Sequence, residues 1–139
     1  MNSVVILHNH IPQNAPEDVL DILTQAKWIG QILAEKGWEV SLLPFSLQAL
    51  EGLDASSVIF NLLDSAPNEE SLSYLGAGIL EHLGLRYTGC SLPTLLVTGD
   101  KQLTKALLLK SGLPTPKPYD PKDPQALYLI KATNQDASL

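Results

Sequence analysis

The sequence predicts an α/β fold, three-layered around a parallel sheet, from three observations. Short apolar runs, the β-branched Ser3 to Leu7, Val40 to Phe45 and Val58 to Leu63, alternate with longer segments of three- and four-residue apolar spacing. The first run is almost wholly apolar, as expected of a strand buried on both faces of a parallel sheet. Strands that alternate with helices imply right-handed crossovers, which place helices over both faces of that sheet.

The elements follow in order. The first run closes in a loop holding His8, Asn9, His10, Pro12 and Pro16. From Glu17 to Lys36, the residues Val19, Ile22, Ala26, Ile29 and Leu33 align along one helix face, and Gly37 follows as a left-handed terminator. Val40 to Phe45 reads as the second strand and Leu47 to Leu50 as a helical turn. Val58 to Leu63 is the third strand, followed by the polar stretch Asp64 to Glu70. A helix runs from about Ser71 to Leu83 and stops at Gly84, and Arg86 to Thr88 forms a short strand. Ser91 to Val97 is a short helix with Pro93 in its first turn, and Asp100 caps another that ends at Gly112. Five prolines follow Leu113, so Pro114 to Pro118 is expected to be extended. A last strand is expected over Leu127 to Ala132. Residues 1–99 form an α/β domain of Rossmann-like type by this reading, and 100–139 a distinct segment.

Bulk properties narrow the function. The chain has 139 residues, 45% hydrophobic and 17% charged, with a formal charge of −6. Phosphate backbones and anionic lipids are repelled by such a surface, which excludes nucleic acid and membranes as partners. A single cysteine, Cys90, allows no internal disulfide and fits a reducing cytoplasm. The apolar run Val4 to Leu7 is too short for a signal peptide or a membrane span.

Four stretches carry a resemblance to a known family. Leu80 to Gly89 is a helix–Gly–strand segment ending Tyr87-Thr88-Gly89. Asp100-Lys101 with Thr104-Lys105 fits a DK-x-x-S/T-K helix start, and Ser111 to Pro116 reads SGLPTP. Ile130-Lys131 is followed by Asp136-Ala137-Ser138. In this order the four resemble the D-alanine–D-alanine ligases and related ATP-grasp ligases. The resemblance implies a substrate domain over 1–99 and the start of an ATP-grasp domain over 100–139. It implies ATP and Mg2+ in an intact parent, neither held tightly by this chain.

By resemblance, Lys101 and Lys131 match positions that contact ATP phosphates, and Ser138 sits in the small-residue loop that closes over them. Lysine, a compact charge on a long stem, suits phosphate oxygens. Read from the residues alone, Lys101 is a solvated side chain in a helical first turn, against the helix dipole. Asp18 stands where the family's substrate-binding glutamate is expected, with Glu17 and Asp21 as alternatives. Any of the three also reads simply as an acid at a helix start.

The sequence departs from the family pattern twice. His8-Asn9-His10-Ile11-Pro12 replaces a Gly-rich turn, and Asn61 to Glu70 lacks the His-Gly and Gly-Glu-Asp-Gly signatures. Another amino acid or small amine acceptor is therefore an open alternative to D-alanine. His8 and His10 fall short of a metal ligand set. Cys90 reads as a small buried thiol, His82 as exposed or capping, and Trp28 and Trp38 as packing residues.

The resemblance places the magnesium carboxylates, adenine hinge and catalytic arginine of the family in later parts of a full ligase. The sequence therefore reads as an N-terminal fragment of an ATP-dependent carboxylate–amine ligase, inactive alone. Two readings compete with it, a stand-alone small-molecule-binding module and a self-association module whose exposed tail strand pairs into a homodimer.

Overall fold

The structure is a computed structural model describing residues 2–12, 14–15, 17–65, 71–117, 119–122 and 127–133, with only the backbone of 17–19. The chain divides into two compact units, Met1–Leu92 and Pro93–Leu139.

The first unit holds β1 (Ser3–His8), α1 (Glu17–Glu35), β2 (Glu39–Pro44), α2 (Leu47–Glu51), β3 (Val58–Asn61), α3 (Leu72–His82) and β4 (Arg86–Tyr87). The strands form one parallel sheet in the order β2-β1-β3-β4. β1 pairs with β2 from Ser3↔Glu39 to His8↔Pro44 and with β3 from Val4↔Val58 to Leu7↔Asn61. The chain therefore winds one way from β1 to β2 and the opposite way to β3 and β4. With right-handed crossovers, that reversal puts α1 on one face and α3 on the other.

Packing bears this out. A Cβ placed at Gly30 of α1 would lie 3.4 Å from Ile6 Cδ1 and 3.4 Å from Val40 Cγ1. Residues alternate faces along a strand, so Val5 and Leu7 lie opposite Ile6. There they join Ile59, Leu50 of α2, Leu72 and Leu80 of α3, Leu63 and Leu85 in the core cluster. β1 is buried from Val4 to His8, as its apolar run predicted. Gly76 allows a close approach, because a Cβ there would overlap the Leu63 side chain.

The Leu80 to Gly89 segment has a clear physical basis. Gly84 ends the α3 turn with φ +66, a conformation that costs a β-carbon-bearing residue about 1 kcal/mol. β4 then lies beside β3, and Tyr87 Oη donates to Glu81 Oε1 at 2.8 Å. The same carboxylate oxygen accepts from the Leu92 N–H at 2.9 Å. Burial, followed by the hydrogen bond and charge of Glu81 and the charge of Cys90, pushes the Tyr87 phenol up to about 12.

A raised phenol pKa means the fold favours neutral tyrosine. That contribution is complete below the unfolded pKa of about 10 and is lost as pH rises toward 12. In an alkaline absorbance titration, one tyrosine should therefore ionise last, and Tyr87→Phe should remove that phase. A late phase that persists in Tyr87→Phe would contradict the assignment.

Next come α4 (Leu92–Gly99), with Pro93 in its first turn, and α5 (Lys101–Lys110) in the second unit. Asp100 caps α5 as expected, accepting from the N–H groups of Gln102 and Leu103. Thr104 Oγ1 donates to the Val97 carbonyl at 2.6 Å. Further along, Tyr119 meets Tyr128 edge-to-face, and the Tyr128 hydroxyl donates to the Asp120 carbonyl at 3.1 Å.

Three expectations are corrected. Leu127 to Ala132 is not a strand: among the described residues no neighbouring strand takes up its backbone groups, and Ile130 is 95% exposed. Trp28 is 72% exposed rather than packed, because α1 turns Ala26 and Gly30 toward the sheet. Cys90 is exposed, since the turn after β4 carries it away from the core. Among the described residues, no helix is long and apolar enough to cross a membrane.

Candidate functional site

In an open parallel sheet, ligands gather at the carboxyl ends of the strands where the winding reverses. Here that point lies beyond β1 and β3. His8 is 6% exposed and Asn9 is 1% exposed, whereas His10, Asp64 and Ser65 are open to solvent.

Asn9 joins the two loops. Its Nδ2 donates to the Asp64 carbonyl at 2.8 Å, and its Oδ1 accepts from the Asp64 N–H at 3.0 Å. The amide thus pairs with both backbone groups of one residue, 55 positions away in the chain. His8 Nδ1 donates to the Asn9 carbonyl at 2.8 Å, which fixes the ring beside the clamp. The Leu62 N–H donates to the Leu7 carbonyl at 2.8 Å, continuing the β1–β3 ladder to the rim.

Asp18 lies in the first turn of α1, but its carboxylate falls outside the described residues, as does all of Ser138. Asp21 is exposed on the same helix. Among the described residues, no three His, Cys, Asp or Glu side chains gather as a metal site.

The second unit contains a cavity of about 1080 Å3. Lys101 and Lys131 both line it, together with Lys105 from α5 and Lys117 from the extended segment. Thr133 closes one side: its carbonyl accepts from the Lys101 N–H at 3.2 Å and from Lys101 Nζ at 3.4 Å. Tyr128, Leu129 and Ile130 add an apolar wall. Among the described residues, no Asp or Glu lines the cavity. Lys101 and Lys105 are half-buried, whereas Lys117 and Lys131 are exposed.

Four lysines, with no carboxylate among the described residues that line the space, make a cavity suited to an anion. Lys101 and Lys131 stand out in the sequence by their motifs, whereas Lys105 and Lys117 carry no sequence-assigned role. The signal was present as a charge split: residues 1–92 carry eleven Asp and Glu against three Lys and Arg, whereas residues 93–139 carry six lysines against four aspartates. Asn9 was also missed, because its partner is too remote for any local motif to announce.

No protein-family model matches the chain. Among curated proteins, it is similar to D-alanine–D-alanine ligases. The one from Moorella thermoacetica is 44% identical over 63 residues, 45% of this chain and 19% of that protein. The Zymomonas mobilis protein is 28% identical over 127 residues, 84% of this chain and 39% of that protein. The Sphingopyxis alaskensis protein is 32% identical over 96 residues, 68% of this chain and 30% of that protein. The chain thus spans well under half the length of these relatives.

Proposed function

Because the chain belongs with the N-terminal part of the D-alanine–D-alanine ligase family, we propose that it is the front part of an ATP-dependent carboxylate–amine ligase. In such a reaction a carboxylate oxygen attacks the terminal phosphorus of ATP, giving an acyl phosphate as ADP leaves; an amine then attacks the acyl carbon, loses a proton and expels phosphate to form the amide. By this reading the chain does not complete the reaction alone.

The observation that carries the proposal is the shared cavity of Lys101 and Lys131, thirty residues apart in sequence and lined by no described carboxylate. These lysines would neutralise phosphate oxygens, and Lys101 is held in place through Thr133. The described residues do not form a magnesium site, so no step is assigned to that ion. The crevice beyond β1 and β3 would receive the amino acid or related amine. Its loops differ from the family pattern, so D-alanine is one candidate among several.

The test is a nuclear magnetic resonance titration of the 15N-labelled chain with ATP, a method that detects weak binding. Shifts should concentrate in residues 98–133, with an apparent Kd near about 1 mM. Lys101→Ala and Lys131→Ala should each weaken binding about tenfold. Shifts centred on His8 to His10, or indifferent to both substitutions, would sink the phosphate assignment.

A further inference from the structure

The chain leaves the first unit through a turn that is held on both sides. On the near side, the Thr88 N–H donates to the Ile59 carbonyl at 2.9 Å, and Thr88 Oγ1 accepts from the Asn61 N–H at 3.1 Å. Thr88 is thereby tied to β3. On the far side stands Leu92, the last residue of the first unit and the first of α4. Gly89, Cys90 and Ser91 lie exposed between the two, and Gly89 has φ +112, a conformation that glycine adopts without strain.

Three contacts fix the far side to α3. Glu81 Oε1 accepts from the Leu92 N–H at 2.9 Å and from the Tyr87 hydroxyl at 2.8 Å. The same hydroxyl lies 3.2 Å from the Cys90 carbonyl, so one phenol spans the turn. The Leu92 side chain rests on Gly78, where an added Cβ would lie 3.3 Å from Leu92 Cδ2. The carboxylate also serves α4, which has no acid in its first turn and whose Pro93 offers no N–H. Glu81 brings a negative charge to that helix start from eleven residues upstream, where the helix dipole favours it.

Glu81 is exposed and Tyr87 half-buried, so these bonds compete with water and can open without disturbing the core. We infer that Glu81 and Tyr87 form a latch on a hinge at residues 89–91. Closed, the latch fixes the direction in which the chain leaves the first unit. Open, it lets the chain pivot at Gly89 while Thr88 stays on the sheet. The inference is independent of the ligase reading, because every contact it uses lies within residues 59–92.

The test is amide hydrogen exchange and backbone 15N relaxation on the full labelled chain. The Leu92 amide should exchange slowly in the unsubstituted chain and about ten- to hundredfold faster in Glu81→Ala, with residues 89–91 gaining nanosecond motion. Glu81→Gln should stay within about fivefold of the unsubstituted chain, because its amide oxygen accepts from the same two donors. The Thr88 amide should keep its protection in every variant, which also reports that the sheet is folded. His82→Ala, next to Glu81 on the same helix and likewise exposed, is the control.

Faster exchange confined to Leu92 and the turn, and largely absent in Glu81→Gln, would support the latch. A Leu92 amide unprotected in the unsubstituted chain, or unchanged by Glu81→Ala, would overturn it. Loss of Thr88 protection together with Leu92 would mean that β4 unfolds rather than that a hinge opens, and would overturn it too. So would an effect of His82→Ala as large as that of Glu81→Ala, or a loss in Glu81→Gln equal to it, which would leave charge alone as the cause.

Discussion

Replacing Leu80 with alanine is expected to remove about 2–5 kcal/mol of stability, a large share of the total for a small domain. Leu80 is fully buried in the cluster with Val5, Leu7, Ile59 and Leu85. It joins α3 to the sheet face opposite α1. The truncation loses apolar burial and opens a cavity that neighbouring side chains refill only partly. Leu75, on the same helix but 53% exposed, is the comparison, and Leu75→Ala should cost under about 1 kcal/mol. Urea unfolding of the two variants measures the difference. Near-equal midpoints would mean that the cluster is not the core of the first unit.

Asn9→Asp is expected to cost about 3 kcal/mol at neutral pH, for a different reason. The amide donates to one backbone group of Asp64 and accepts from the other at a site 1% exposed to solvent. A carboxylate can still accept from the N–H, but it turns a second oxygen toward the carbonyl and is desolvated. Protonation would restore the donor, so the new group should titrate with a raised pKa. The sign follows from that shift: the variant should be least impaired below the usual carboxylate pKa of about 4 and should lose stability as pH rises through the raised value. Denaturation measured from acid to neutral pH checks this. A defect independent of pH would show that charge is not its cause. Asn9→Ala, lacking the charge, should be weakly dependent on pH.

Much of the fold was legible because it is written locally. The β1 run, the α1 periodicity and the Asp100 cap each depend on residues within a few positions of one another, and each is present in the structure. Left-handed φ angles at Gly37, Gly84 and Gly112 mark helix ends at the expected places. The misreadings have non-local causes. Trp28 looked like a packing residue by type, but the rotational position of α1 decides which side meets the sheet, and Ala26 and Gly30 take it. Leu127 to Ala132 has the composition of a strand, yet a strand is defined by its partner, which composition cannot supply.

The candidate sites divide in the same way. Lys101 and Lys131 could be picked out only through a motif, and what they share is a cavity formed when remote segments meet. Lys105 closes the helix-start motif but was given no role, Lys117 lacked a motif, and both stood out only as part of an excess of lysine in residues 93–139. The Asn9 clamp spans 55 residues and left no trace in spacing.

The central claim, that the chain is the front part of a ligase, is tested most directly by reading the coding DNA beyond the codon for Leu139. An open frame should continue there into a strand-rich segment with late carboxylates and an arginine suited to phosphoryl transfer. A stop codon at that point, in the gene as it is expressed, would contradict it.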